Sequence, residues 1–194
     1  MMRRREFLFP TKKSSASFEL LNKIVTTDRE NIPYYLLQND APFSILMDFE
    51  VTGGYNTTNY SCTLDFLTCG VQPGNLSNGL RIVYYSSYIF CRLFNKGPYE
   101  TFNTQDKLHS KIGMIYNPEL TQNLIVKLNN QNINRQQITN FIQYDTPAGV
   151  GGWNGSDTSG SYATVTGIIN ELFIYDRALT ENDMLDYFNN HIIP

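Results

Sequence analysis

Two acidic side chains are the residues in this sequence that could carry acid–base chemistry. Asp48 and Glu50 lie two residues apart in a segment of alternating polarity, so both point to the same face of a predicted strand. Glycoside hydrolases use two such carboxylates, one as the acid and one as the base or nucleophile. No third acid follows or precedes Asp48 and Glu50 at the same two-residue spacing, and Asp65 and Glu171 stand singly in other segments. We interpret Asp48 and Glu50 as a solvent-facing or groove-facing strand edge and not as a catalytic pair.

Nucleophilic and cofactor chemistry have no recognisable motif in the chain. The sequence contains no G-x-S-x-G elbow, no phosphate-binding glycine loop and no H-E-x-x-H pair. His109 begins a predicted strand and His191 lies in the terminal segment, and neither has a nucleophile at a suggestive spacing. The sequence therefore predicts a protein that is not an enzyme.

Two loops rich in aromatic and polar residues are the predicted ligand-binding regions. Aromatic rings pack against the apolar faces of sugars, while amides and carboxylates bind sugar hydroxyls. Trp153, the single tryptophan, lies in a Gly/Ser/Asp-rich loop over residues 145–162. The alternative is that Trp153 anchors this loop on the body of the domain. The candidate glycan-binding residues are Trp153, Asn154, Asp157, Tyr162, Tyr55 and Asn56.

The longer loop also offers oxygen ligands to calcium, our one candidate cofactor. Asp145 and Asp157, with backbone carbonyls of a glycine-rich turn, are hard donors of the kind that calcium prefers. The spacing is not that of an EF-hand, and stabilisation of turns by these side chains is the commoner role. Calcium binding and a purely structural role both stay open.

Charge divides the 194-residue chain into two parts. The net charge is −3, yet residues 1–13 carry five basic residues and one acidic residue. Because the rest is acidic, we expect no nucleic-acid partner. Segments in which apolar residues lie between positive charges, as in residues 1–13, often become ordered when they bind a partner protein. We therefore predict partner docking through Arg3, Arg4, Arg5, Phe7 and Phe9.

Targeting signals and disulfide patterns are absent from the sequence. The apolar stretch at residues 7–9 is too short for a signal peptide, and no apolar run is long enough for a membrane span. Cys62, Cys69 and Cys91 are odd in number and lack C-x-x-C spacing, so they are read as core residues. A bridge from Cys91 to Cys62 or to Cys69 stays open.

Alternation with a period of two is the dominant structural signal. Apolar residues alternate with polar ones over residues 43–51, with Ser44, Asp48 and Glu50 predicted to face outward. Similar strands are predicted at residues 62–66, 80–84, 89–93, 112–116, 124–128 and 168–175. Residues 18–25 are ambiguous between strand and helix, with strand favoured. Thr180 is the predicted N-cap of a short terminal helix. Such elements predict a sandwich or jelly roll.

One segment is more specific than these general patterns. Residues 167–180 read G-I-I-N-E-L-F-I-Y-D-R-A-L-T and are followed by Met184 and Leu185. This segment resembles the closing motif of laminin-G-like domains in the concanavalin A-like lectin/glucanase superfamily. Residues 109–117 with 124–130 resemble a hairpin of the same group, and Val150-Gly151-Gly152 resembles its I-G-G motif.

The resemblance implies an all-β fold, an antiparallel two-sheet jelly-roll sandwich (concanavalin A-like) with a short C-terminal helix covering one end. Residues 18–194 are the predicted laminin-G-like domain, and residues 1–17 a basic-aromatic N-terminal arm. The family's usual aspartate is Asn170 here, Asn130 replaces the hairpin glycine and Leu108 replaces a tryptophan. Because of these departures, and because folds do not determine functions, the resemblance is not extended to a ligand or metal role.

The sequence as a whole favours a non-catalytic binding or structural module. Our leading interpretation is a phage virion component (capsid decoration, head fibre or tail protein) that the arm tethers within an assembly and whose loops bind glycans. It would be made in the host cytoplasm and reside in the virion. The alternative is a bacterial lectin-like protein that binds carbohydrate.

Overall fold

The strands of this chain are short and alternate in polarity, as the sequence predicts. The computed structural model describes residues 15–25, 30–37, 41–53, 63–69, 80–85, 88–93, 99–101, 108–139, 149–150 and 166–194. Its strands are β1 (Phe18–Val25), β2 (Glu30–Asn31), β3 (Phe43–Gly53), β4 (Thr63–Cys69), β5 (Leu80–Tyr85), β6 (Tyr88–Leu93), β7 (Tyr99–Thr101), β8 (Leu108–Tyr116), β9 (Leu124–Leu128), β10 (Asn134–Gln136), β11 (Gly149–Val150) and β12 (Thr166–Tyr175). A 3₁₀ turn covers Tyr34–Leu37, and helix α1 covers Glu181–Asn190.

These strands form two antiparallel sheets. The first sheet has the order β1-β12-β3-β8-β9-β10, and the second has the order β2-β11-β4-β5-β6-β7. Neighbours within each sheet are often distant in sequence, so the chain crosses repeatedly between the sheets. The predicted all-β, antiparallel two-sheet class with a short C-terminal helix is confirmed.

The main core lies between the two sheets. In β3, Phe43, Ile45, Met47, Phe49 and Val51 point inward, as their alternation predicts. The same core contains residues of β8, β9, β12 and the second sheet, among them Ile112, Met114, Tyr116, Leu124, Val126, Leu128, Ile169, Leu172, Ile174, Leu80, Ile82, Cys91 and Val150. Phe18 and Leu20 of β1 pack against it, which supports the strand assignment of the ambiguous segment.

The outer face of the first sheet carries a second apolar cluster. Leu46, Ile115 and Phe173 pack there against Met184 and Tyr187 of α1. The prediction that the outward residues of β3 face solvent is therefore wrong for most of its length. Ser44 is completely buried and Asp48 is 7% exposed, while Glu50 is half-buried. The helix also covers this face and not an end of the sandwich, because Leu46, Ile115 and Phe173 give it an apolar surface.

Local hydrogen bonds determine where α1 begins. Thr180 Oγ1 accepts a hydrogen bond from Asp183 N (3.1 Å), and Asp183 Oδ2 accepts one from Thr180 N (2.9 Å). This reciprocal capping box confirms Thr180 as the N-cap. Ser44 Oγ donates to the Arg177 carbonyl (3.0 Å) and accepts from Leu179 N (2.8 Å). The buried hydroxyl thus holds the turn between β12 and α1.

Gly113 allows the helix to approach the sheet closely. A Cβ atom at this position of β8 would lie 2.5 Å from Met184 Cγ and 2.6 Å from Met184 Sδ. Such a separation is well inside a normal carbon–carbon contact. The helix therefore packs directly on the backbone of β8.

Cys91 is a free thiol in the main core, and burial raises its pKa. Neither of the bridges considered for Cys91 is therefore formed. Cys62 lies outside the described residues. Across the parts of the chain that the structure describes, no helix is long and apolar enough to cross a membrane.

Candidate functional site

Both predicted ligand-binding loops begin or end at the same side of the first sheet. Gly53 ends β3 before residues 54–62, and Thr166 begins β12 after residues 151–165. The loop predicted over residues 145–162 is corrected in one respect, since Gly149–Val150 form strand β11 within it, paired with β2 and β4. Gly53 and Thr166 are paired across the two strands. The described strand ends that carry the two loops are therefore neighbours, and we call this side the loop end.

The opposite side of the sheet holds the last residues of the predicted arm. Ser17 N donates to the Ile174 carbonyl (2.8 Å), near the far end of β12. Ser15 Oγ donates to the Pro194 carbonyl (3.0 Å) and accepts from Arg177 Nη2 (3.0 Å). Ten residues of β12 separate this arm end from the loop end, about 30 Å of extended chain.

The candidate side chains named from the sequence lie outside the described residues. This holds for the glycan-binding candidates Trp153, Asn154, Asp157, Tyr162, Tyr55 and Asn56. It holds also for Asp145, the other calcium candidate, and for Arg3, Arg4, Arg5, Phe7 and Phe9 of the arm. Within the described ranges, no group of three or more histidine, cysteine, aspartate or glutamate side chains could hold a metal ion.

A polar surface lies on the outer face of the first sheet, between α1 and the loop end. It consists of Asp48, Glu50, His109, Lys111 and Asn170, and we call it the polar shelf. Asp48 Oδ1 accepts hydrogen bonds from His109 Nε2 and from Asn170 Nδ2, each at 2.7 Å. Lys111 Nζ lies 4.0 Å from Asp48 Oδ2. The largely buried carboxylate thus fixes two neighbouring planar side chains.

The backbone of the first sheet is irregular at the level of the shelf. Ile169 pairs with Phe49 and Glu171 with Asp48, so that Asn170 is an extra residue opposite β3. Asn22, at the same level in β1, has a positive φ of 52°, a conformation that asparagine tolerates better than most residues. A bulge of this kind redirects a side chain. Here it accompanies the hydrogen bond of Asn170 to Asp48.

A second carboxylate joins the shelf to the helix. Glu171, 8% exposed, is the cross-strand partner of Asp48, and its Oε2 lies 3.4 Å from His191 Nε2. His191 is the left-handed C-cap of α1. Burial, followed by the charges of Glu171 and Asp48, raises the pKa of Tyr187 well above the ordinary tyrosine range. These contacts secure the C-terminal end of the helix to the sheet.

This grouping is not apparent from the sequence. The spacing of residues associates Asp48 with Glu50, whereas Glu171, His109 and His191 stand apart from them in sequence. The run of apolar residues over positions 172–175 signals a strand covered on both faces. That signal predicts that a neighbouring glutamate needs partners from other elements, although it does not identify them.

Comparison with known proteins extends the description of the fold. No family model matches the chain, and no curated protein matches it in sequence. Among solved structures, the CBM40 module of the Ruminococcus gnavus IT-sialidase superposes with a TM-score of 0.61 and 12% identity. That match covers 90% of this chain and 100% of the module. The same module bound to α2,3 sialyllactose gives 0.59 and 11%, covering 89% of this chain and 98% of that one.

The leech intramolecular trans-sialidase is also similar, with a TM-score of 0.59 and 12% identity. The match covers 87% of this chain but 27% of the leech enzyme, so the chain spans about a quarter of that protein. Identities this low establish the fold alone. Membership of the concanavalin A-like superfamily itself stays a prediction. The chain is an antiparallel jelly-roll β-sandwich with a short C-terminal helix.

Proposed function

We propose that this protein is a non-catalytic carbohydrate-binding module that binds glycans at the loop end. The pairing of Gly53 with Thr166 is the observation that carries the proposal. It means that the bases of two loops rich in aromatic, amide and carboxylate residues are neighbours in space. Sugar recognition needs an aromatic surface and polar groups close together. We assign Trp153 and Tyr55 the stacking role, and Asn154, Asp157, Tyr162 and Asn56 the polar contacts.

The similar structures support the same function. The Ruminococcus gnavus module, matched over its whole length, is a carbohydrate-binding module with structures bound to α2,3 and α2,6 sialyllactose. The fold of this chain is thus one that another protein uses for sugar binding. The interactions of Asp48 support a role without catalysis, because this carboxylate is largely buried and engaged by His109 and Asn170. A glycosidase would need it available to the sugar.

The single tryptophan provides a direct test. Because Trp153 is the one tryptophan of the chain, intrinsic tryptophan fluorescence reports on it alone. We expect glycans identified on an array to change this fluorescence in a saturable way, and Trp153→Ala to abolish binding on the array. Leu120→Ala is the matched control, since Leu120 is an exposed apolar residue that follows β8 at the arm end. Unchanged array binding by Trp153→Ala would remove the proposed stacking surface, and cleavage of a bound glycan would contradict the non-catalytic role.

We propose further that the arm tethers the module to a virion. The contacts of Ser15 and Ser17 support this proposal, because they hold the base of the arm about 30 Å from the loop end. A partner held by Arg3, Arg4, Arg5, Phe7 and Phe9 would then leave the glycan loops accessible. A bacterial lectin-like protein without a particle partner is the second candidate.

Removal of residues 1–14 separates the two candidates, since it keeps the contacts of Ser15. Virus particles are purified by density gradient from cultures that produce either the full chain or the shortened chain. Mass spectrometry then detects whether the protein is present in the particle fraction. We expect the full chain in the particle fraction, and the shortened chain to be absent from it while still binding glycans. Detection of neither form in particles would favour the lectin-like protein, and equal amounts of both would exclude tethering by the arm.

A further inference from the structure

The polar shelf has no role in forming the main core, yet hydrogen bonds hold three of its side chains together. Asp48 Oδ1 receives two hydrogen bonds of 2.7 Å, from His109 and Asn170. The His109 side chain is nevertheless 58% exposed, and Asn170 is half-buried. Both therefore have hydrogen-bonding groups left for a ligand: the second ring nitrogen of His109 and the amide oxygen of Asn170.

Fixed planar side chains are well suited to sugar hydroxyls. A ligand that meets side chains already held in place loses less conformational entropy on binding than one that must order them. The irregular backbone at Asn170 and Asn22 adds to this, since bulges often redirect side chains beside functional sites.

The shelf is continuous with the loop end. Glu50 pairs with His109 across β3 and β8, and Gly53 lies three residues further along β3, about 10 Å away. A disaccharide or longer glycan that contacts the loops can therefore extend past the paired ends of β3 and β12 onto the shelf.

The charge of the shelf restricts the kind of sugar. Asp48 and Glu50 contribute two carboxylates, while Lys111 contributes one ammonium group whose nitrogen lies over the Tyr187 ring at 4.9 Å. Glu171 adds a third carboxylate next to Asp48. An anionic sugar brought to this surface would meet excess negative charge, whereas a neutral sugar would not.

We infer that the polar shelf is an extension of the glycan site and that it selects uncharged glycans over sialylated or otherwise acidic ones. The inference rests on the proposed function, because the glycan is held first at the loop end. His109 and Asn170 bind sugar hydroxyls, and Glu50 disfavours acidic sugars.

A glycan array that carries each oligosaccharide in neutral and sialylated form tests the selectivity. We expect the full chain to prefer the neutral form by about threefold to tenfold. Glu50→Gln removes one carboxylate from the shelf, so it should reduce this preference by strengthening the binding of the sialylated form relative to the neutral one. Equal binding of both forms, or preference for the sialylated one, would overturn the inference.

Variants of the shelf test its direct contact with the sugar. His109→Ala and Asn170→Ala should each weaken binding of the best neutral oligosaccharide about tenfold, the effect of one lost hydrogen bond. His191→Ala is the matched control, since this histidine is equally exposed and also pairs with a buried carboxylate, but belongs to the helix end. It should leave affinity unchanged.

Thermal unfolding of each variant separates binding from folding. Loss of stability in His109→Ala with unchanged affinity would show that the shelf has only a structural role, and would overturn the inference while leaving the proposed function intact. Absence of binding to every glycan by the full chain would overturn both.

Discussion

Substitution of Gly113 by alanine tests how closely α1 packs on the first sheet. The new Cβ atom would lie 2.5 Å from Met184 Cγ, about 1 Å short of a favourable carbon–carbon separation. Met184 is completely buried and cannot move into solvent. Overpacking of this kind costs about 1–3 kcal/mol. Alanine also leaves the unfolded chain fewer conformations than glycine does, and this entropic effect offsets about 0.4–1 kcal/mol of the cost. We expect a net loss of about 1.3 kcal/mol in the free energy of unfolding, within a range of about 0–2.6 kcal/mol.

Met184→Ala provides the matched background for this experiment. Alone, it should cost about 2–5 kcal/mol, because it leaves a cavity between the helix and β8. In that background Phe188 Cε2, at 3.1 Å, is the remaining close contact of the new Cβ atom, so Gly113→Ala should cost much less free energy of unfolding than in the natural chain. Urea unfolding followed by far-UV circular dichroism gives the four free energies of the double-mutant cycle.

One result of this double-mutant cycle would contradict the close packing of α1 on β8. If Gly113→Ala costs the same free energy with and without Met184, the two residues are not coupled and α1 does not rest on the β8 backbone. A stabilising effect of Gly113→Ala in the natural chain would lead to the same conclusion.

Two further predictions concern the buried polar groups beneath and beside α1. Ser44→Ala removes two hydrogen bonds that hold the turn before the helix, so it should cost about 1–3 kcal/mol in urea unfolding, whereas the exposed Ser15→Ala should have little effect. Tyr187 has a raised pKa in the folded state, so its contribution to stability is complete below about pH 10 and is lost as the unfolded chain ionises above that pH. Tyr187→Phe should therefore lose less stability than the natural chain above about pH 10. Equal slopes of stability against pH in the two proteins would show that Tyr187 does not contribute.

Much of the fold could be predicted because its signals are local. The alternation of residues 43–51 identifies β3 and its inward face, and Thr180 with Asp183 identifies the start of α1. The strands β2 and β11 have two residues each, too few for any periodicity. Their positions depend on pairing with neighbouring strands and could not be derived from their own residues.

The polar shelf could not be predicted because it depends on distant pairings. Asp48 and Asn170 are 122 positions apart in sequence, and their hydrogen bond depends on the register of β3 against β12 and on the bulge between Ile169 and Glu171. The outward face of β3 was misjudged for a related reason. Leu46 lies between Ile45 and Met47, and three successive apolar residues indicate burial of both strand faces.

The contact between Ser15 and Pro194 has a consequence for how the fold can be combined with other proteins. Ser15 N and Ser15 Oγ both donate to the Pro194 carbonyl, so the two ends of the described fold meet at one point. A unit of this shape can be inserted into a surface loop of a host protein, because the host chain enters and leaves through the same small gap. The jelly roll would then project from its host on two adjacent connections, with the loop end directed away from the insertion point.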